Sequence, residues 1–466
     1  MKTDAEMKIK KGDNKGQDDS AVNLLKRIKR EKERLKEKKL LINYKEINSS
    51  NIEYRPFTIP RNWMWVRLGE VSIIQEGPGI RKYQYKKEGI QFLTVTNILE
   101  GEVDLEKSKK YISVEEFNGK YNHFKINKQD IVIACSGGSW GKSAIYNHDD
   151  TIILNTSTLR LRYFGDIGYN KYLYYMTKAD FFKNQIKSQL TGQQPNFGYS
   201  HYSIIQVPLP PLSEQKQIVC ILDEAFEEIA TAKTNAEKNL QNARALFESH
   251  LQSVFTQRGD AWEEKMIGEV LQKTETVDPT KSPHKEFIYI DVSSVNKENL
   301  TIENSTLIKG KDAPSRARKF IRTNDVIFAT VRPTLRRIAI IPEEFNGQVC
   351  STGYFVLRTK EYLNNKFMFY FLRTNSFNEK MDKMQKGASY PAVTDSEVRR
   401  QIIPYPKSLI EQHAIVAKFD ELSKETQRLE AIYQQKLDAL EELKKSMLHQ
   451  AFSGELKEKN YEQRRP

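Results

Sequence analysis

The chain has 466 residues, 38% of them apolar, which is enough for two or three domains with cores of their own and excludes disorder throughout. Lys and Arg total 74 against 61 Asp and Glu, and the resulting net charge of +13 makes a polyanion the first partner to consider. No run approaches the ~18 apolar residues that span a bilayer and no apolar segment of signal-peptide type begins the chain, so a membrane location is not expected and a cytoplasmic one is. Taking the elements in order, the first 50 residues carry 15 basic and 9 acidic side chains, and Lys26 to Lys39 alone hold 9 and 3. Leu24, Ile28 and Leu35 give this tail, residues 1–56, only a thin apolar stripe. It fits a basic arm along DNA, a helix docking a partner, or a solvated helix.

A mixed, aromatic-rich segment over residues 57–210 follows. Its β-branched and aromatic runs GIQFLTVTNI, DIVIACS and TIILNTSTLRLRY, bounded by Gly, Asn and Asp, predict strands, and Tyr172 to Lys187 predicts one helix. Pro208-Leu209-Pro210-Pro211 then marks extended chain leading into residues 211–257. From Ser213 to Phe255 there is neither Pro nor Gly, and Ile218, Leu222, Ala225, Ile229, Ala232, Ala236, Leu240, Ala243 and Phe247 recur at steps of three and four.

The same order then repeats. Leu68-Gly69-Glu70-Val71 recurs as Ile267-Gly268-Glu269-Val270, each preceded by a tryptophan, Trp65 and Trp262. Asp130 to Ala134 matches Asp325 to Ala329, Tyr172 to Tyr175 matches Phe367 to Tyr370, and VPLPPLSEQKQIV (207–219) parallels IPYPKSLIEQHAIV (403–416). The repeat is about 190 residues long, with Trp65 aligned on Trp262 and Phe255 on Phe452. Residues 258–406 form the second mixed segment, including the strand-like FIYIDVSSV and a helix from Phe367 to Met384. Residues 407–455 form the second helical segment, with Ile415, Phe419, Leu422, Leu429, Tyr433, Leu437, Leu440 and Met447 on the same register, and 456–466 a tail. The expected fold is therefore two tandem α/β domains with largely β cores, each followed by a helix of about 40 residues, roughly 60 Å long. Helices of that length are expected to pack on each other, the alternative being that they pack onto their own domains.

This arrangement, with tryptophan-plus-LGEV at Trp65 and Leu68 to Val71, LPPLSEQKQIV at 209–219, and the looser second copies at Trp262, Ile267 to Val270 and Ile410-Glu411-Gln412, resembles the specificity subunits of type I restriction-modification systems. The resemblance covers about residues 57 to 455. It implies two target-recognition domains that each read half of a split double-stranded DNA target, held on two helices that pair as an antiparallel coiled coil. It further implies two modification (methyltransferase) subunits docked on the helices and two restriction (motor-nuclease) subunits joining them. Cofactors would sit on those partners: S-adenosylmethionine on the modification subunit, ATP and Mg2+ on the restriction subunit, none on this chain.

The chemistry-bearing motifs agree with a non-catalytic subunit. Ser136-Gly137-Gly138-Ser139-Trp140-Gly141-Lys142-Ser143 looks like a phosphate-cradling loop, but only three residues separate Gly137 from Gly141 where that loop needs four, and the aligned Val331 to Arg337 has none of its glycines. The only Pro-Pro, Pro210-Pro211, is not the catalytic loop of an adenine methyltransferase, and seven scattered histidines form no HxxxH pair. Cys135, Cys220 and Cys350 lie far apart without CxxC, which argues against disulfides and structural zinc. The rival classes are a self-sufficient methyltransferase or nuclease and a coiled-coil protein scaffold.

Candidate DNA contacts lie where the two copies differ within a shared frame. In the first these are Gln193, Gln194 and Asn196, with Ser139 and Lys142, and more loosely Arg81 and Lys82 beside Tyr83 and Tyr85. In the second they are Ser389 and Tyr390, with Arg332, Arg336 and Arg337 on one loop and Arg316, Arg318, Lys319 and Arg322 on the segment before Asp325. Amides pair bidentately with adenine and arginine with guanine in the major groove, while other basic groups only grip phosphate. The candidates for helix pairing and partner docking are Ile218, Leu222, Ile229, Leu240, Phe247, Ile415, Phe419, Leu422, Leu429 and Leu440.

Overall fold

The computed structural model describes residues 19–41, 55–190, 195–258, 261–387 and 389–456. The chain divides into two units: residues up to Lys233 together with those from Asp438 onward, and Thr234–Leu437.

In the first unit, four antiparallel strands lie in the order Ser72–Glu76, Thr158–Tyr163, Ile131–Ala134, Ser143–Ile145. The alternation of TLRLRY sends Leu159, Leu161 and Tyr163 into the core and Arg160 and Arg162 to the opposite face, where both reach the buried carboxylate of Asp130. Three shorter strands, Tyr111–Ile112, Ile90–Phe92 and Ile152–Ile153, make a second sheet. Met64–Arg67 pairs antiparallel with Gln206–Leu209, so the proline-rich segment is the closing strand of the domain. The second unit repeats this plan. Ile338–Ile340, Val326–Ala329 and Tyr354–Leu357 form one sheet, Thr306–Lys309, Glu286–Ile290, Val349–Ser351 and Ala317–Phe320 another, and Trp262–Met266 pairs with Ile402–Pro406.

The single helix expected in each domain is two. Asn170–Lys178 and Asp180–Lys187 are separated by extended Ala179 (φ −74°, ψ 143°), and Asn365–Arg373 and Asn375–Met384 by Thr374 (φ −60°, ψ 144°). Thr374 then caps the next helix, its hydroxyl accepting from the Phe377 amide. No Pro or Gly marks either break.

Two 45-residue helices, Leu212–Thr256 and Leu409–Ser453, complete both units. In the first unit Lys233 pairs with Glu441 at 2.7 Å and Lys444 lies 5.1 Å from the Phe226 ring. In the second Arg244 meets Glu430 at 3.0 Å and Phe255 stacks on Phe419 with centroids 6.1 Å apart. In both, advancing along one helix retreats along the other, so the pair is antiparallel. The seam is not the whole of their packing, however. Ile218, Leu222, Ile229, Leu440, Met447, Leu448, Ala451 and Phe452 belong to the core of the first unit, and Phe247, Leu251, Phe255, Val416 and Phe419 to that of the second. Ile415, Leu422, Leu429 and Leu240 are only half-buried, and near Leu240 the buried positions are the small Ala236 and Ala243. The two alternatives for the helices are thus both realised: they pack on each other and fill the domain cores.

The N-terminal tail also departs from a freely solvated helix. Ala21–Glu37 is helical, started by Ser20, whose hydroxyl accepts from the Asn23 amide at 3.3 Å. Ala21, Leu24 and Ile28 are buried against the turns Leu68–Val71 and Phe164–Asp166 of the first unit. The outward face carries exposed Lys26, Arg27, Lys29 and Arg30.

Candidate nucleic-acid interface

The loops singled out by comparing the two copies are brought together in each domain. In the first, Ser136 bridges to Asn196, the Gly137 amide donates to Pro195 O at 3.1 Å, and the Phe197 amide donates to Cys135 O at 2.9 Å. Gly137 (φ 61°) and Gly141 (φ 80°) take left-handed conformations that turn the chain over, and Trp140 packs on Phe197 with ring centroids 5.3 Å apart. Asn196 is exposed, Ser139 and Lys142 half-buried. Gln193 and Gln194 lie outside the described residues.

In the second, Val331 bridges to Ala392, the Arg332 amide donates to Pro391 O at 2.7 Å, and the Val393 amide donates to Thr330 O at 2.9 Å. The Arg332 guanidinium lies 4.8 Å above the Tyr390 ring and donates to Ser389 O at 3.4 Å. Arg332 (φ 51°) and Arg336 (φ 49°) are left-handed non-glycine residues on either side of Pro333-Thr334-Leu335, a conformation that costs energy and is held by the surrounding bonds. Arg336 stays exposed, donating to Asn375 Oδ1 at 3.3 Å.

Other sequence candidates are engaged elsewhere. Arg337 is turned inward: half-buried, it donates to Val292 O at 2.6 Å, so it braces the loop from beneath. Arg318 is ion-paired with Asp278, Lys319 holds Tyr354 O at 2.6 Å and Asp395 at 2.7 Å, and Arg322 pairs with Glu275 at 2.6 Å. Arg316 is exposed, and its carbonyl accepts from the Thr352 amide at 2.8 Å. Arg81 and Lys82 are exposed on a turn leading to the strand Ile90–Phe92.

At the other end of each central strand, Ile131–Ala134 and Val326–Ala329, lies a buried charge. Asp325 accepts from Arg358 Nε and Nη2, both at 2.8 Å, and from the Arg322 amide. The Asp325 carboxylate beside it, and Glu275, hold the Arg358 pKa above its usual value. Asp130 takes the matching place beside Arg160 and Arg162, and burial pushes its pKa up against their pull. The base of the first loop is clamped by Lys178, which donates to Ser143 O at 2.5 Å, pairs with Glu100 at 2.8 Å and sits 4.6 Å from the Tyr174 ring. Burial pulls its pKa down to about 8. In the second domain the aligned Arg373 stacks instead on Phe247, Phe369 and Tyr370.

The structure also explains the Glu-Gln motif. The Trp63 indole donates to Glu214 at 2.6 Å and the Trp262 indole to Glu411 at 3.1 Å. Gln215 accepts from the Tyr169 amide and donates to Pro210 O; Gln412 accepts from the Asn364 amide and donates to Pro406 O. Each Glu-Gln pair therefore ties the first turn of a long helix to the domain before it. The tryptophan equivalent to Trp262 is Trp63, not Trp65: both stand five residues before LGEV or IGEV. Trp65 instead packs on Phe57 and Phe181, at 5.1 and 6.4 Å. The equal spacing to the glycine motif was the signal that would have found it.

Among the described residues no His, Cys, Asp and Glu group is arranged to hold a metal, and no helix is long and apolar enough to cross a membrane.

A family model for the type I restriction modification DNA specificity domain matches the chain twice, over residues 60–240 and 259–441. The MjaVIII type I restriction enzyme specificity subunit of Methanocaldococcus jannaschii is 23% identical over 454 residues, covering 90% of this chain and 98% of that protein. The EcoBI specificity subunit of Escherichia coli is 19% identical over 443 residues, covering 88% and 90%. Among solved structures, a chain described in connection with complex assembly and conformational transition of the type I R-M system superposes with a TM-score of 0.70 at 20% identity, covering 86% of this chain and 100% of its own. The HsdS subunit from Thermoanaerobacter tengcongensis gives 0.56 at 21% identity, covering 86% and 99%. At these identities the two structures establish the fold.

Proposed function

The chain belongs to the type I restriction-modification specificity-subunit family, and from that premise we propose that its two recognition domains read the two halves of a split DNA target while the paired helices set the gap and dock partner subunits. The observation that carries this is the duplicated loop pair. Ser136 with Asn196 and Val331 with Ala392 occupy the same place in each domain, yet one pair presents glycine, lysine and amide groups and the other two strained arginines and a tyrosine. A shared frame with different tips is what two readers of different sequences require. Asn196 suits adenine, and Arg332 and Arg336 suit guanine, while Lys142 and Arg316 suit phosphate.

The chain acts without catalysing. Two modification subunits carrying S-adenosylmethionine bind the helices, and two restriction subunits using ATP and Mg2+ bind that complex. Exchanging residues 262–402 for the second domain of another family member tests the assignment. One half of the methylated motif should change and the other persist; loss of both halves refutes it. Purified chain alone, incubated with S-adenosylmethionine and DNA, should transfer no methyl group.

A further inference from the structure

Tyr83 is the most exposed aromatic side chain among the described residues, at 83%. It is not exposed through looseness. The turn Lys82–Gln84 is fixed from both sides: Gln84, buried, accepts from the Arg81 amide at 2.9 Å and donates to Glu116 at 2.8 Å and Tyr121 Oη at 3.0 Å. Ile80 before the turn is buried, and Tyr85 after it packs on Phe92 at 5.2 Å. With Ile80, Gln84 and Tyr85 anchored, Arg81, Lys82 and Tyr83 are held outward together. Among the described residues these three side chains have no partner.

The segment leading into the turn is tied to the loops already described. The Gly77 amide donates to Thr158 O at 3.0 Å, and Thr156 Oγ1 to Pro78 O at 3.0 Å. The Cys135 amide donates to Ser157 O at 2.8 Å, and Cys135 O accepts from Phe197. Residues 77–78, which lead into the turn, therefore meet residues 135–137 and 195–197 at the same end of the four-stranded sheet. The turn before the corresponding strand of the second unit, Pro279–Lys281, carries no aromatic residue, so the feature belongs to the first unit alone.

We propose that Tyr83 is a DNA-contacting residue of the first unit, its ring packing against a sugar and base edge at the border of the first half-site while Arg81 and Lys82 take the flanking phosphates. An aromatic side chain beside cations is the usual composition of a binding hot spot, and the fixed turn means that binding need order only these side chains and not the backbone that carries them. The cations supply charge complementary to DNA, and the ring supplies a contact that salt does not screen.

This inference rests on the DNA-reading role proposed above, and the test separates the two. Target binding by the complex assembled with its modification subunits is measured across a salt series. Tyr83→Ala should weaken it about tenfold at every salt concentration, ~1.4 kcal/mol, with the slope of affinity against salt unchanged. Tyr83→Phe should bind as the unsubstituted complex does, since the ring and not the hydroxyl makes the contact. Arg81→Ala and Lys82→Ala should each flatten the slope by about one counterion. Unchanged affinity of Tyr83→Ala, or a loss that disappears at high salt, overturns the assignment. Failure of the underlying role looks different: the unsubstituted complex would then bind mixed DNA as well as its target.

Discussion

Phe452→Ala tests how the last turns of the helix Leu409–Ser453 hold the first domain. The Phe452 side chain is fully buried, edge-on to Tyr172 with ring centroids at 5.3 Å and tilted on Phe181 at 5.6 Å, among Leu448, Ala451 and Met447. Removing a buried phenyl ring forfeits its transfer free energy and leaves a cavity that rigid neighbours only partly close, about 3–5 kcal/mol in all. Against a domain stability of roughly 5–15 kcal/mol that is a large fraction. Urea unfolding followed by tryptophan emission reads it in a Trp262→Phe background, where Trp63, Trp65 and Trp140, all in the first unit, are the remaining reporters. The midpoint should fall with little change in slope. Phe255→Ala makes the aligned change in the second unit, where Phe255 packs on Phe367 at 5.1 Å, and should leave those reporters near their original midpoint. A loss below about 1 kcal/mol for Phe452→Ala would refute its place in the core, since full burial of a phenyl ring is worth more.

Arg336→Ala should cost DNA binding roughly 1–3 kcal/mol and relax specificity at one position of the second half-site. Arg337→Ala, whose guanidinium faces Val292 O, should instead lower the midpoint of unfolding; a specificity change with unaltered stability would show that it faces DNA. For Lys178, the folded pKa of about 8 lies below the usual 10.5, so between those values the unfolded state holds a proton that the folded state has released. Stability contributed by this group therefore rises with pH through that window. Comparison of the protein with Lys178→Met by urea unfolding at the two ends of the window should show the protein gaining about 1–3 kcal/mol on the variant as pH increases. A pH-independent difference would mean that Glu100 and Ser143 O offset the burial completely.

The duplication and the long helices were legible because they rest on long-range regularity: a repeat of LGEV and EQ motifs, and over 40 residues without Pro or Gly. The breaks at Ala179 and Thr374 were not, since neither residue type opposes a helix; only the surrounding packing selects their extended conformation. Arg332, Arg336 and Arg337 read alike as neighbouring cations, yet αL geometry at two of them turns the third inward, which composition does not encode. Leu240 fits the apolar register but is half-buried, the buried positions around it being the small Ala236 and Ala243. Trp63 and Trp65 stand two positions apart and both fit a loose alignment on Trp262; the hydrogen bond of Trp63 to Glu214 distinguishes them. Of the docked face of Ala21–Glu37, Leu24, Ile28 and Leu35 stand out as a thin stripe, but a stripe that thin fits a solvated helix equally well, and only the packing on the first unit decides.

The position of Asp438 onward in the first unit has a consequence for biogenesis. The second unit is one uninterrupted stretch, Thr234–Leu437, whereas the first needs residues from both before and after that stretch. On the ribosome the domain made first therefore waits, with Tyr172 and Phe181 lacking their cover, until the segment after Leu437 emerges and Phe452 reaches them. The domain made second is complete before that. Completion of the two cores is therefore expected in the reverse of synthesis order, and a chain stalled or cleaved near Leu437 leaves apolar surface around Tyr172 and Phe181 uncovered, the kind of species that chaperones and proteases recognise.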